Sequence, residues 1–194
     1  MSLSCFVEFI YKSANSYMSS PNFVPFDLVC SCEPKGLDFD GYVSYLSSLA
    51  SFVVDGGYIC SNDTFVSRES IAAEEVIPIN SISGGCKFDG LLYSSLNFNQ
   101  NNKKCREQKY SVFKKTKEGL IPIDCYVLTY SSLWSKPNDV DELFLHAMQK
   151  YTSSGERILS LFTPSDTILD FCMSCNRMFY CFCDRDVLYN KADV

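Results

Sequence analysis

The side chains best suited to bind a metal ion or to take part in catalysis are eleven cysteines and a single histidine. Cys172-x-x-Cys175, followed by Cys181-x-Cys183, could supply four thiolates to a zinc ion. The spacing is tighter than in ordinary zinc knuckles, and alternate residues of a strand share one face. We therefore predict no metal site and interpret these cysteines as small, buried apolar residues.

The single histidine, His146, rules out a multi-histidine metal centre. Any Ser–His or Cys–His catalytic set would depend on this one residue. It falls in a predicted helix, Asp139–Tyr151, beside the apolar stripe. We predict that His146 faces solvent or is hydrogen-bonded, and that it is not catalytic.

A third cluster is basic and lies in the middle of the chain. Its members are Lys103, Lys104, Arg106, Lys109, Lys114, Lys115 and Lys117. The whole chain is acidic, with a net charge of -6 and a pI of about 4.8, which disfavours autonomous, non-specific binding to nucleic acid. The cluster is interpreted as a solvated face whose first six members could contact a nucleic-acid backbone or an acidic partner locally.

Composition indicates a folded domain. Of the 194 residues, 46% are hydrophobic and 21% are charged. No apolar run reaches the roughly 18 residues that a membrane span needs, so no membrane association is expected. The odd number of cysteines and an N-terminus without signal-peptide character predict an intracellular, reducing compartment.

The first regular elements form a predicted βαβ unit. Val24–Cys32 has strand character, and the apolar spacing from Tyr42 to Val53 is helical. Asp55-Gly56-Gly57 is interpreted as the end of that helix, because glycine adopts the left-handed cap conformation. Tyr58–Cys60 then reads as a second strand, parallel to the first.

The remaining predicted elements are less regular. Strand candidates in the middle are Val76–Ile79, Leu91–Tyr93, Tyr110–Lys114 and Ile123–Tyr130. In the last third, Glu156–Phe162 is predicted as helical turns, and Thr167–Phe171 and Met178–Cys183 as strands. We expect Asp27–Cys32, Tyr58–Cys60, Thr167–Phe171 and Met178–Cys183 to lie in one mostly parallel sheet. The prediction is one α/β, Rossmann-like domain over residues 1–194, with a βαβ unit at 24–62, an irregular insertion at 63–135 and a last region at 136–190.

Four segments resemble the nucleic-acid amino-methyltransferases that use S-adenosylmethionine on adenine N6 or cytosine N4. The turn Glu33-Pro34-Lys35-Gly36 after a strand, and then Val54–Ile59, resemble the catalytic half of that family. Glu156–Phe171 looks like the family's helix leading into its cofactor-binding strand, and Asn176–Asp184 looks like the next strand. With the catalytic half first, the order resembles the permuted β class, and the resemblance implies a methyltransferase-type sheet.

The resemblance also assigns site positions. It makes Asp170, Asp184 and Lys136 the cofactor-binding candidates. In the family, a strand ends in a D-P-P-Y-like turn that accepts hydrogen bonds from the target amino group and stacks an aromatic ring on the flipped base. Here the turn reads Cys32-Glu33-Pro34-Lys35, so a lysine stands in place of the aromatic residue.

A second departure from the family concerns the cofactor loop. The resemblance places this loop at Cys172–Asn176, where the family has glycines that let the backbone approach the cofactor. No glycine is present there.

These departures predict a catalytically inactive, methyltransferase-like subunit without a bound cofactor. It would act as a structural or interaction component of a larger complex, with a protein partner and with nucleic acid reached through that complex. One alternative is a lineage-specific or viral accessory protein that binds a host or partner protein. Another is an active methyltransferase with divergent motifs, which would need S-adenosylmethionine.

Overall fold

A computed structural model describes residues 6–10, 14–32, 39–62, 106–130, 139–161 and 164–182. In chain order, the elements are β1 (Phe6–Ile10), α1 (Ala14–Met18), β2 (Phe26–Cys32), α2 (Phe39–Ala50), β3 (Val53–Asn62), β4 (Arg106–Lys115), β5 (Leu120–Tyr130), α3 (Asp139–Tyr151), β6 (Arg157–Ser160), α4 (Asp166–Ser174) and β7 (Met178–Phe182).

The strands form one seven-stranded sheet in the order β1-β7-β6-β2-β3-β4-β5. Across the sheet, the four pairings from β1 through β7, β6 and β2 to β3 are parallel. Strands β4 and β5 add an antiparallel hairpin beyond β3. Parallel pairing requires crossover connections, and helices α2 and α4 supply two of them. The predicted Rossmann-like α/β fold is confirmed.

The sheet is buried on both faces because each strand alternates between two apolar cores. Val29 and Ile59 point into a core with α2, whereas Leu28 and Cys60 point into a core with α3 and α4. Tyr42, Leu46 and Leu49 of α2 are completely buried, as the helical spacing of these residues predicts.

The predicted strand–helix–strand order of the first unit is confirmed, but its glycines do not cap the helix. α2 ends at Ala50, and Gly56 and Gly57 lie inside β3. Phe26 of β2 pairs with Val53, and Leu28 pairs with Tyr58, so β3 carries extra residues between the two pairs. This is a β-bulge, an irregularity that bends a strand and often contains glycine.

The two glycines of the bulge are required for different reasons. Gly56 has a φ of 87°, and the space around its Cα is open. Glycine is therefore favoured there by the backbone conformation and not by lack of space. A Cβ on Gly57 would lie 2.8 Å from the carbonyl oxygen of Asp27, so there is no room for a side chain at this position. The Lys115 ammonium holds the bulge from β4 by donating to the carbonyl of Val53 at 2.7 Å.

Two predictions for the last third of the chain are wrong. Glu156–Phe162 is not helical, because Arg157–Ser160 is the central strand β6. Thr167–Phe171 is not a strand, because it lies in α4. Met178–Cys183 is confirmed as a strand through β7, so three of the four segments expected in the sheet are there, and β6 replaces the fourth.

Local sequence features explain why Thr167–Phe171 is helical and Arg157–Ser160 is a strand. Ser165 accepts a hydrogen bond from the backbone N–H of Ile168 and so caps the start of α4. Ile168 and Cys172, four residues apart, are then buried on one side of the helix. In β6 the consecutive apolar residues Ile158 and Leu159 are buried on opposite faces, a pattern that periodicity cannot distinguish from a short buried helix.

In the middle of the chain, two of the four predicted strands are confirmed within β4 and β5. The other two candidates, Val76–Ile79 and Leu91–Tyr93, lie outside the described residues. Among the helices of the described ranges, none is long and apolar enough to cross a membrane.

The side chain of Arg157 joins β6 to the segment that precedes β2. Its guanidinium carbon lies 4.7 Å from the ring centroid of Phe26 and 4.8 Å from that of Tyr180. One of its nitrogens donates to the carbonyl of Pro25 at 2.9 Å. Burial raises the pKa of the neighbouring Tyr17, and the Arg157 charge opposes that change.

The bulge yields a test with a matched pair of variants. Gly57→Ala should lower the free energy of unfolding by about 2–3 kcal/mol, because the new methyl group forces β2 and β3 apart. Gly56→Asn should cost no more than about 1 kcal/mol, because asparagine tolerates a positive φ and the position has room. Urea denaturation of both variants measures the difference, and equal losses would contradict the two separate constraints.

Candidate functional site

The topology identifies one edge of the sheet as the place for a ligand. From β2 the chain moves through α2 to β3 on one side, and from β6 it moves through α4 to β7 on the other. Because β2 and β6 are neighbours, the direction of winding reverses between them. In open α/β sheets, ligands bind beyond the carboxyl ends of the strands at this switch point.

On the face covered by α2, small polar residues lie near the carboxyl ends of β2 and β3 and at the neighbouring position of the antiparallel strand β4. Ser31 pairs with Ser61, and Ser61 pairs with Ser111. Their exposed fractions are 3%, 0% and 0%. The hydroxyl of Tyr45, which projects from α2, shares a hydrogen bond with Ser31 Oγ.

On the opposite face, the row at the same end also consists of small residues. Cys181, Ser160, Cys30 and Cys60 are register partners across β7, β6, β2 and β3, and all four are completely buried. The three cysteines are free thiols packed in the core formed with α3 and α4. The interpretation of the cysteines as buried apolar residues is confirmed for these three and for Cys172.

The gap between β2 and β6 is closed by the residue that follows β6. The backbone N–H of Leu161 donates to the carbonyl of Cys30 at 3.0 Å, which extends the parallel pairing by one residue. The Leu161 side chain is 6% exposed and packs in the same core as Tyr45. The described strands β2 and β6 therefore stay paired as far as the switch point.

The described rim supplies little acid–base chemistry. Between β7 and β3, its two rows contain hydroxyls, thiols and Leu161, with no carboxylate, imidazole or ammonium group. The described residues contain no group of three or more His, Cys, Asp or Glu side chains placed to hold a metal ion. Cys175 is partly exposed at the end of α4, and Cys183 lies outside the described ranges.

The segment predicted as the cofactor loop is not a loop at the switch point. Cys172–Asn176 is the end of α4, where the backbone N–H of Cys175 donates to the carbonyl of Phe171 at 2.9 Å. The connection that leaves β6 is instead Leu161–Ser165, which also contains no glycine. The start of α4 there is already capped by Ser165 and carries Asp166, a charge that repels an anionic ligand.

The predicted site residues are distributed over several parts of the chain. Cys32 is the last residue of β2 and therefore lies at the switch point. Asp170 is exposed on α4, so its expected position at the end of a cofactor-binding strand is wrong. The remaining candidates, Glu33, Pro34, Lys35, Lys136 and Asp184, lie outside the described residues.

The basic cluster is spread along β4. Arg106 begins the strand and Lys115 ends it, so about 30 Å of extended chain separates them. Lys114 is exposed, whereas the Lys115 ammonium lies 3.5 Å from the Asp55 carboxylate. Lys109 also belongs to β4, and Lys103 and Lys104 lie outside the described ranges. His146 is exposed on α3.

The two rows of small residues were not identified as a site from the sequence. The sequence pattern that corresponds to these rows is Cys-Ser-Cys at positions 30–32 and Cys-Ser-Asn at positions 60–62. Both patterns lie at the ends of predicted strands. Taken alone, each of these segments is typical of ordinary core packing. Only the register shows that they align across the sheet.

Comparison with known proteins gives fold-level likeness only. No family model matches the chain, and no curated protein matches it. Two solved structures resemble it over 96% of its length: the crystal structure of M1.HpyAVI, with 10% identity, a TM-score of 0.45 and 96% of that chain covered, and the M1.HpyAVI-SAM complex, with 11% identity, a TM-score of 0.42 and 97% covered. These values are too low to transfer a site, a cofactor or an activity.

The Ser31–Tyr45 contact can be tested by a double-mutant cycle. Tyr45→Phe should lower the free energy of unfolding by about 1–3 kcal/mol, because it leaves the buried Ser31 hydroxyl without this partner. Ser31→Ala removes the same bond from the other side. Urea denaturation of both single variants and of the double variant should show a double loss smaller than the sum, whereas additive losses would show that the contact contributes nothing.

Proposed function

We propose that this chain is a methyltransferase-like protein that does not transfer methyl groups. It serves as a structural or interaction component of a larger protein assembly, and any nucleic acid is reached through that assembly. The proposal rests on the order of the two halves, on the buried Leu161 at the switch point and on the charge distribution.

The order of the two halves supports the methyltransferase-like part of the proposal. The family resemblance implies that the catalytic unit comes first and the cofactor unit last. The unit β2-α2-β3 precedes β6-α4-β7 in the chain, and the two diverge from the adjacent strands β2 and β6. A permuted order of this kind still produces one continuous sheet with one switch point.

The burial of Leu161 at the end of β6 is the observation that carries the proposal of inactivity. A cofactor at the switch point needs open space and exposed backbone beside β6. Here the Leu161 N–H is bonded to Cys30, and the Leu161 side chain is buried. A ligand in that position would have to displace both a backbone hydrogen bond and a packed leucine.

The chemistry of the described rim agrees with inactivity. Methyl transfer to an amino nitrogen releases a proton, so a group beside the target must accept a hydrogen bond and then the proton. The described rim offers serine hydroxyls and buried thiols, which are weak bases. The first position of the family's turn is Cys32, where the family has an acidic residue.

Surface features support a role in an assembly. Lys114, on the basic strand β4, is exposed on a chain that is acidic overall. Phe6 and Phe9, on the edge strand β1, are 44% and 40% exposed. Charged groups of one sign steer association, and exposed aromatic residues contribute contact area.

The proposal of inactivity predicts that the full chain does not bind S-adenosylmethionine. Isothermal titration with up to millimolar ligand should give no binding heat, because micromolar affinity requires about 8 kcal/mol of binding free energy at a position where Leu161 is already buried. Leu161→Gly is the matched variant, since it removes the side chain and leaves the rest of the rim in place. A micromolar Kd for the unmodified chain would contradict the proposal and favour the active enzyme.

The assembly role predicts that the chain co-purifies with a protein partner from its native source at physiological salt. Reversing charge at Lys103, Lys104 and Lys109 to glutamate should weaken that association in a salt-dependent way. Lys117→Glu, at the far end of the β4–β5 hairpin, is the control and should have a smaller effect. A chain recovered as a monomer with no partner retained would contradict the assembly role without bearing on cofactor binding.

A further inference from the structure

The dipeptide Asp55–Gly56 lies in the bulge of β3, where the strand is not matched by its neighbours. The register with β2 breaks after Val53 and resumes at Tyr58, so residues 54–57 fall between two register pairs. The register with β4 also begins only at Tyr58. A bulge disrupts the ladder locally, and these four residues are the part of β3 that its neighbours constrain least.

Both residues of the dipeptide are accessible. The side chain of Asp55 is 65% exposed, and Gly56 is also exposed. A Cβ built on Gly56 would meet no heavy atom within 4 Å, so this stretch of backbone is not crowded. When the residue after an aspartate has no side chain, its backbone nitrogen approaches the aspartate carboxyl carbon with the least steric hindrance.

We propose that Asp55 is a site of spontaneous isomerisation to isoaspartate. The backbone nitrogen of Gly56 attacks the Asp55 Cγ and forms a new C–N bond, while the nitrogen's proton leaves with one carboxyl oxygen as water. The product is a five-membered succinimide ring, which a second water molecule then opens. Cleavage of the new bond restores aspartate, and cleavage of the original peptide C–N bond leaves isoaspartate, in which the main chain runs through Cγ. The reaction consumes no oxidant, reductant or cofactor, and it is independent of the proposed function.

The Lys115 side chain restrains this reaction from β4. Its ammonium lies 3.5 Å from the Asp55 carboxylate and donates to the carbonyl of Val53 at 2.7 Å. A carboxylate held towards β4 is less available to the nitrogen of Gly56, and a bulge tied at Val53 opens less often. Lys115 therefore acts as a positioning residue, and its removal should accelerate the isomerisation.

A second Asp–Gly dipeptide, Asp40–Gly41, provides an internal comparison. Asp40 is exposed in the first turn of α2, where the helical hydrogen bonds hold its backbone dihedral angles. The two dipeptides have the same covalent chemistry and differ in backbone conformation. The remaining Asp–Gly dipeptide, Asp89–Gly90, lies outside the described residues.

Incubation of the full chain in water enriched in oxygen-18 measures the reaction, because each opening of a succinimide adds one heavy oxygen atom. Mass spectrometry of the peptides then gives a rate for Asp55 and for Asp40. Asp-N protease, which cleaves before aspartate and not before isoaspartate, identifies the isomer. Each rate is divided by the rate of the same site in urea, which corrects for the flanking residues.

We expect the corrected rate at Asp55 to exceed that at Asp40 by about tenfold. Asp40 must first lose about one helical hydrogen bond, and a free-energy difference of about 1.4 kcal/mol corresponds to a factor of ten. Equal corrected rates, or a faster reaction at Asp40, would overturn the proposal. This comparison uses the unmodified chain, so it does not depend on the folding of a variant.

Two variants test the chemistry and the restraint separately. Asp55→Glu keeps the charge beside Lys115, but it would require a six-membered ring, which forms much more slowly, so the heavy-oxygen label at this position should disappear. Lys115→Met should raise the rate at Asp55 several-fold and leave the rate at Asp40 unchanged. Labelling that persists in Asp55→Glu would contradict the succinimide, and an unchanged rate in Lys115→Met would contradict the positioning role.

Discussion

The parallel pairing of β2 with β6 is the interaction on which the rest of this fold depends. Leu28, Val29 and Cys30 pair with Ile158, Leu159 and Ser160, and Leu161 continues the ladder. Beside it, the Asp27 carboxylate accepts a hydrogen bond from the backbone N–H of Arg157 across 130 residues of sequence. Two units that are far apart in the chain meet at this seam, and both cores of the sheet extend across it.

The same seam borders the switch point. In open α/β sheets, ligands bind in the crevice beyond the carboxyl ends of the strands at this position. In this chain the ladder continues past the end of β6, and the α2 helix is tied to β2 through Tyr45 and Ser31. These contacts stabilise the described part of the sheet beside that crevice.

The sequence was sufficient to predict the β2-α2-β3 unit, but not β1 or α1. The spacing of Tyr42, Leu46 and Leu49 has the period of a helix buried on one face, and the strands on either side are rich in β-branched and aromatic residues. The last third failed because Ile158–Leu159 and Ile168–Leu169 are equally apolar short runs. Pro164 and Ser165 mark the start of a helix between them, and this capping signal separates strand from helix where hydrophobicity does not.

The candidate site was predictable only in part, for a different physical reason. Cys32 was located at the end of a strand because a turn signal follows it. The serine row could not be found in this way, because residues 31, 61 and 111 become neighbours only through the register of three strands. That register depends on the bulge at Gly56 and Gly57, which shifts the pairing between Phe26 and Leu28. Single-sequence patterns contain no information on such a shift.

The position of β1 has a consequence for the order of events during synthesis. Phe6 pairs with Met178, and Ile10 pairs with Phe182, so the first described strand is matched by the last. A ribosome releases β1 and β2 long before β6 and β7 emerge, and contacts between such distant segments form slowly. Until then, Phe26 and the apolar side of α2 lack the strands that cover them in the finished sheet. The nascent chain therefore keeps apolar surface uncovered over much of its translation time, and loss of the last described strand would leave β1 and β6 without the partner between them.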